Sequence, residues 1–139
     1  MVFFDGEEAG RAGSRHYVST LTTPNAVSAM VNLDSVGRMG DRPLLAFTSD
    51  SAWAPILGRV QVATGVQVTL AQGGDVSDQQ SFIDVSIPAI QLSSGHSADY
   101  HQPTDTADKV EPASLVAAAA LTRELVVALR DRAERNTAP

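Results

Sequence analysis

Five short apolar runs, separated by helical patterns and turn residues, constrain this chain more than any other feature. They occupy residues 2–4, 26–33, 44–47, 67–70 and 87–92. Each has the length and composition of a strand and is bounded by turn formers. Between them lie segments of helical spacing. One follows Gly13-Ser14, carries Tyr17, Val18 and Leu21, and is broken by Pro24-Asn25. A second carries Trp53, Ile56, Leu57 and Val60 behind a capping Asp50-Ser51. A short third spans 78–83, after a loop opened by Gly73-Gly74. A long fourth spans 113–132 with a stripe of Leu115, Ala118, Ala119, Leu125, Val126 and Leu129, and its alanine run at 117–120 permits close approach to a sheet. Residues 133–139 are expected to fray. Strands alternating with helices predict an α/β fold, a three-layer α-β-α sandwich with a mostly parallel, mixed sheet. Pro88 predicts an edge or strand-entry position for the last strand. The apolar run at 2–4 predicts a central strand buried on both faces, with neighbours on each side.

Several function classes drop out early. A length of 139 residues suits a single domain. Ten basic residues against sixteen acidic ones give a net charge of -6, and Lys109 is the only lysine. Such a chain repels a phosphate backbone, so no nucleic-acid partner is expected. Cysteine is absent, which removes disulfides, thiolate metal sites and cysteine nucleophiles. No uninterrupted apolar run approaches the ~20 residues of a membrane span, so no membrane partner is expected.

Ligands of α/β folds gather at the carboxyl ends of strands. Three such places carry acids or histidine. Glu7 and Glu8 follow the first run and Gly6, and on a loop both carboxylates can converge; a solvated acidic pair is the other reading. Asp34 ends the second run, placed either for a metal or for an Asx-turn. The polar segment after the fifth run holds His96, Asp99, Tyr100, His101 and Asp105. There Tyr100 could donate to an oxyanion, and Asp99 or Asp105 could orient the imidazole of His101. Carboxylates with an imidazole are a hard O/N donor set suited to zinc. Ser93, Ser94, His96 and Asp99 hold the atoms of a serine hydrolase, but no G-x-S-x-G elbow is present.

Five segments in order carry a resemblance. They are Phe3-Phe4-Asp5-Gly6-Glu7-Glu8-Ala9-Gly10 with Gly13-Ser14, then Val31-Asn32-Leu33-Asp34-Ser35-Val36-Gly37-Arg38, then Ser77-Asp78 with Ser81-Phe82. Ile87-Pro88-Ala89-Ile90 and Asp99-Tyr100-His101-Gln102-Pro103-Thr104-Asp105-Thr106 complete the set. Together they resemble the zinc aminopeptidases with two co-catalytic metals, the bacterial leucine-type group. The resemblance implies a general base at Glu7, ligands of one zinc at Glu8 and His101, a ligand of the other at Asp34, and an intermediate-holding role for Tyr100. It implies a peptide substrate, two zinc ions in a complete site, and a secreted or periplasmic parent. Gln79 stands where the family usually has a histidine, which predicts altered pocket contacts with no loss of metal.

The family also draws a histidine and a bridging aspartate from a segment ahead of the Glu-Glu strand. The resemblance therefore implies the carboxyl-terminal part of such a domain, without its amino-terminal strands. Weak zinc binding, impaired activity and a homo-oligomer through an exposed sheet edge are the expected consequences. Two alternatives share the fold: a non-catalytic interaction domain, and a glutaminyl-cyclase-like transferase. Tyr100 favours the peptidase, because a tryptophan is usual there in the cyclases.

Overall fold

A computed structural model describes residues 1–23, 26–71 and 76–137, with side chains to residue 133. Four strands form one mixed sheet. They are β1 (Met30–Leu33), β2 (Leu44–Phe47), β3 (Val68–Ala71) and β4 (Ala89–Ser93), in the spatial order β1-β4-β2-β3. The pairs β1–β4 and β2–β3 are parallel, and β2–β4 is antiparallel. Helices α1 (Ala12–Ser19) and α3 (Gln79–Ile83) pack together on one face. Helices α2 (Ala54–Thr64) and α4 (Pro112–Thr137) pack together on the other. The predicted three-layer architecture is the observed one.

The pleat of β4 divides the interior. Ile90 and Leu92 face one way, into a core with Leu44, Ala46, Trp53, Ile56, Leu57, Val60, Ala118, Leu121 and Leu125. Ala89 faces the other way, into a smaller cluster with Val18, Phe82 and Ile87. Local chemistry sets the element ends. Asp50 Oδ1 accepts from Ala52 N at 2.8 Å ahead of α2, Pro55 occupies its first turn, and Gly65 closes it with φ 71°. In the first turn of α1 position 13 must be glycine, because the Asp5 carbonyl oxygen lies 2.5 Å from where a Cβ would stand.

The structure corrects several expectations. Residues 2–4 join no strand; Phe4 instead packs on Tyr17 and Phe82 at ring-centroid distances of 5.6 and 6.1 Å, while Phe3 is exposed. Val2 and Phe4 line a cavity of about 220 Å³ together with Met30 and Val31 of β1. Pro88 does stand at a strand entry, the second of its two expected positions, and the strand it enters is an inner one; its ring is tolerated because it precedes the ladder, where its carbonyl accepts from Met30 N at 2.9 Å. The second run contributes only Met30–Leu33, and the fourth and fifth lie one or more residues later than expected.

On α4 the buried line is Ala118, Leu121 and Leu125, while Leu115, Ala119 and Val126 are exposed. The helix runs on to Thr137 through the stretch expected to fray. Over Pro112–Ala133 it is also long and apolar enough, by length and composition alone, to cross a membrane. Counting uninterrupted apolar residues missed this because Arg123 and Glu124 split the run. In this fold its buried line packs on α2 and the sheet. The expected break at Pro24-Asn25 and the Gly73-Gly74 loop lie outside the described residues.

Candidate active site

The three acid- and histidine-bearing segments converge at the carboxyl ends of β1 and β4. Glu7 and Glu8 sit on a turn whose backbone is anchored by Gly13 N to Asp5 O at 2.9 Å and Ala12 N to Gly6 O at 2.9 Å. Asp34 follows β1 directly, its amide donating to Leu92 O at 3.1 Å. His101 lies on the segment after β4, and its Nε2 is 2.7 Å from Glu8 Oε1. Tyr100 stacks between two imidazoles, with centroids 3.7 Å from His96 and 3.9 Å from His101. Arg11, Ser35 and His101 all adopt left-handed backbone, with φ of 60°, 55° and 56°. Non-glycine residues there cost roughly 1–3 kcal/mol each and tend to cluster at functional sites.

Electrostatics single out Glu7. Its carboxyl is pushed above its ordinary value, first by burial and then by the negative charges of Glu8, Asp34 and Asp78, with Arg11 opposing. Glu8 and His101 remain largely exposed, with side chains 73% and 55% accessible. The first acid therefore leans toward the protein and the second toward solvent.

Asp78 is a residue to which sequence reasoning gave no role. It is 8% exposed, acts on Glu7 through its charge, and has a buried Oδ1 without a hydrogen-bond partner among the described residues. The Ser77-Asp78 pair in front of a short helix was the available signal. Arg38 was likewise given no role of its own. Its Nη1 donates to Ser97 Oγ at 3.0 Å, Asp99 Oδ2 at 2.9 Å and Asp105 Oδ1 at 3.2 Å. Asp99 also accepts from Lys109 Nζ at 2.7 Å. These bonds direct Asp99 and Asp105 to cations, not to the His101 imidazole they were expected to orient. Hydrogen bonds from Lys109, Thr104 and Arg38 hold the Asp99 carboxyl well below the usual range.

Gln79 does not reach an open pocket. It is 5% exposed, accepts from Asn32 Nδ2 at 3.2 Å and donates to Gln91 Oε1 at 3.0 Å. Asn32 also donates to Ser77 Oγ at 3.0 Å. This polar chain lies between the sheet and α3, beside the Ser14–Ser81 hydroxyl pair at 2.8 Å. Much of the motif set is thus structural: Gly13 admits Asp5, and Ser14 and Ser81 lock α1 to α3. A cavity of about 360 Å³ lies at the opposite end of the sheet, near Ser28, Asp50, Trp53 and Arg132. None of the candidate residues lines it.

As a metal site, Glu8 and His101 have the oxygen and nitrogen donors that zinc takes. They amount to two donors. Among the described residues no group of three or more histidines and acids is arranged to hold a metal ion.

Comparison with known proteins agrees with this fold. An aminopeptidase from Aneurinibacillus sp. strain AM-1 superposes with a TM-score of 0.79 at 26% identity, over 88% of this chain and 31% of that one. A zinc aminopeptidase from Bacillus subtilis gives 0.78 at 25% identity, over 88% and 34%. A glutaminyl cyclase from an Acidobacteriales bacterium shares the fold, with a TM-score of 0.72 at 21% identity over 86% and 46%. The chain spans about a third of the length of the two aminopeptidases. No curated protein matches it at a significant level. The sequence profile of peptidase family M28 matches residues 1–126, and the chain belongs to that family.

Proposed function

We propose that this chain carries part of the catalytic apparatus of a zinc aminopeptidase, which hydrolyses the amino-terminal bond of a peptide. The observation that carries the reading is the 2.7 Å contact of His101 Nε2 with Glu8, next to a Glu7 whose proton affinity is raised. Zinc held by Glu8 and His101 would supply Lewis acidity toward the scissile carbonyl. Glu7 takes the proton of the attacking water and passes it to the departing amine. Its raised pKa moves it toward the range where a carboxylate performs both steps. The Tyr100 hydroxyl donates to the oxyanion as it forms. Asp34 lies close enough to act on Glu7 through its charge, which fits the second zinc ligand implied by the family.

With two donors in contact, zinc affinity is expected to be weak and turnover impaired. Calorimetric titration of the chain with zinc sulfate should show weak binding that is lost in Glu8→Gln and in His101→Gln. Wild-type affinity in both variants would overturn the metal assignment. Hydrolysis of leucine p-nitroanilide should stay at background; turnover that Glu7→Gln abolishes would overturn the impairment while establishing the chemistry. Ammonia release from a glutaminyl peptide would instead favour the cyclase, which shares the fold.

Self-association is part of the same proposal. The outer edge of β1 has no strand partner among the described residues, and Met1, Val2 and Phe3 beside it are exposed. An open edge with adjoining apolar surface pairs readily with another copy. Light scattering during size-exclusion chromatography should report a dimer or larger species, and a clean monomer at high concentration would count against it.

A further inference from the structure

The segment that carries Tyr100 and His101 has little core of its own. Residues 101–108 are all exposed, and His101 holds left-handed backbone, which is uncommon for any non-glycine residue even though histidine adopts it more often than most. Something outside the segment must fix it. The hydrogen bonds identify what that is. Arg38 reaches into the segment with three bonds from one nitrogen, to Ser97, Asp99 and Asp105. Asp99, the residue directly before Tyr100, has a side chain only 16% exposed and is gripped by two cations.

Arg38 is itself held from the other side. Its amide donates to Ser94 Oγ at 3.3 Å, and the Met39 amide donates to Ser114 Oγ at 2.9 Å. Glu111 Oε2 accepts from Gly40 N at 2.8 Å and from Ser114 Oγ at 2.6 Å. The first turn of α4 therefore fixes residues 37–40, and Arg38 carries that fixation across to Asp99. An isolated surface ion pair contributes little, but a network of partly buried, mutually shared bonds constrains geometry.

We propose that Arg38 is a positioning residue for the active site: acting through Asp99, it sets the stacked Tyr100–His101 pair against Glu8. The roles of Tyr100 and His101 rest on the peptidase reading above; the positioning itself does not. The ion-pair network ties the segment bearing the histidine ligand to the loop that follows Asp34. It thereby joins the two loops that leave the paired ends of β1 and β4.

The test compares Arg38→Met and Asp105→Asn with the wild-type chain by NMR, alongside zinc titration. In the wild type, stacking displaces the Tyr100 ring protons and the His101 Hε1 upfield. In Arg38→Met those displacements should collapse while the methyl signals of Leu44 and Leu92 stay in place, and zinc affinity should fall about tenfold. Asp105→Asn is an exposed change that keeps an acceptor oxygen but removes the negative charge from one of the three partners of Arg38. It should move the same resonances in the same direction by less, so it decides the matter even where Arg38→Met fails to fold. A merely structural arginine would shift the melting temperature and leave these resonances where they are. Unchanged Tyr100 and His101 signals in the folded variants would overturn the proposal. Absence of zinc binding in the wild type would overturn the metal assignment alone, since the resonance shifts still report on positioning.

Discussion

The two faces of the sheet are built from different materials. The face under α2 and α4 is dry: Leu44, Leu92, Leu121 and Leu125 are fully buried, and Ile90 completes the contact. The face under α1 and α3 mixes an aromatic trio with a buried polar chain running from Ser77 through Asn32 and Gln79 to Gln91. Both faces exclude water, but they specify the fold in different ways. The dry face stabilises through area and packing, which are indifferent to direction. The polar face stabilises only if every partner stands in place, because a buried polar group without a partner costs more than its bond contributes. The candidate site lies at the carboxyl edge of the polar face, beside Asp78, where directional bonds hold position best.

The comparison can be broken most forcefully on the dry side. Leu92→Ala deletes a fully buried side chain in the central strand and should cost about 2–5 kcal/mol, read by urea unfolding. On the polar face Gln79→Leu preserves bulk but strands Gln91 Oε1 and one hydrogen of Asn32. It should cost about 1–3 kcal/mol. The double change Gln79→Leu with Gln91→Leu should recover part of that loss, because the acceptor goes with its donor. If the double variant is as damaged as the sum of the two singles, the two glutamines are not coupled and the contrast between the faces fails.

The dry face was also the more legible in the sequence. Trp53, Ile56, Leu57 and Val60 announced α2 by spacing, and Asp50 announced its cap; both stand as expected. The stripe of α4 was harder. Its alanines and valines are apolar all round, so periodicity alone could not tell Leu121, which is buried, from Val126, which is not. Residues 2–4 misled because β propensity describes a segment, whereas a strand needs a partner at the right distance. Glu7, Glu8, Asp34 and His101 stood out as candidates because strand ends concentrate ligands and their segments recur in a known order, and the structure brings those segments together. Asp78 and Arg38 were missed because burial beside Glu7 and reach toward Asp99 are tertiary facts. Gln79 looked like a pocket residue for the same reason: nothing in its neighbours reveals that Asn32 and Gln91 close over it.

The smallest effect bears on where the polar face meets the site. Burial, together with Glu8, Asp34 and Asp78, raises the Glu7 pKa in the folded chain, while the unfolded chain titrates near the ordinary value of about 4.3. Between those two values the folded state holds more protons than the unfolded state. Stability must therefore fall as pH rises through that window, and the loss persists at neutral pH. Glu7→Gln removes the charge and should stabilise the chain at pH 7 by roughly a few tenths of a kcal/mol, solvent screening keeping it small. Well below the ordinary glutamate value, where the acid is protonated in both the folded and the unfolded chain, the two proteins should melt together. A Glu7→Gln chain that melts lower than wild type at pH 7 would mean that the carboxylate is a net asset to the fold, satisfied like Gln79 instead of strained by its acidic neighbours. In that event the site would be an extension of the polar face, and Glu7 would lose its claim to be a poised base.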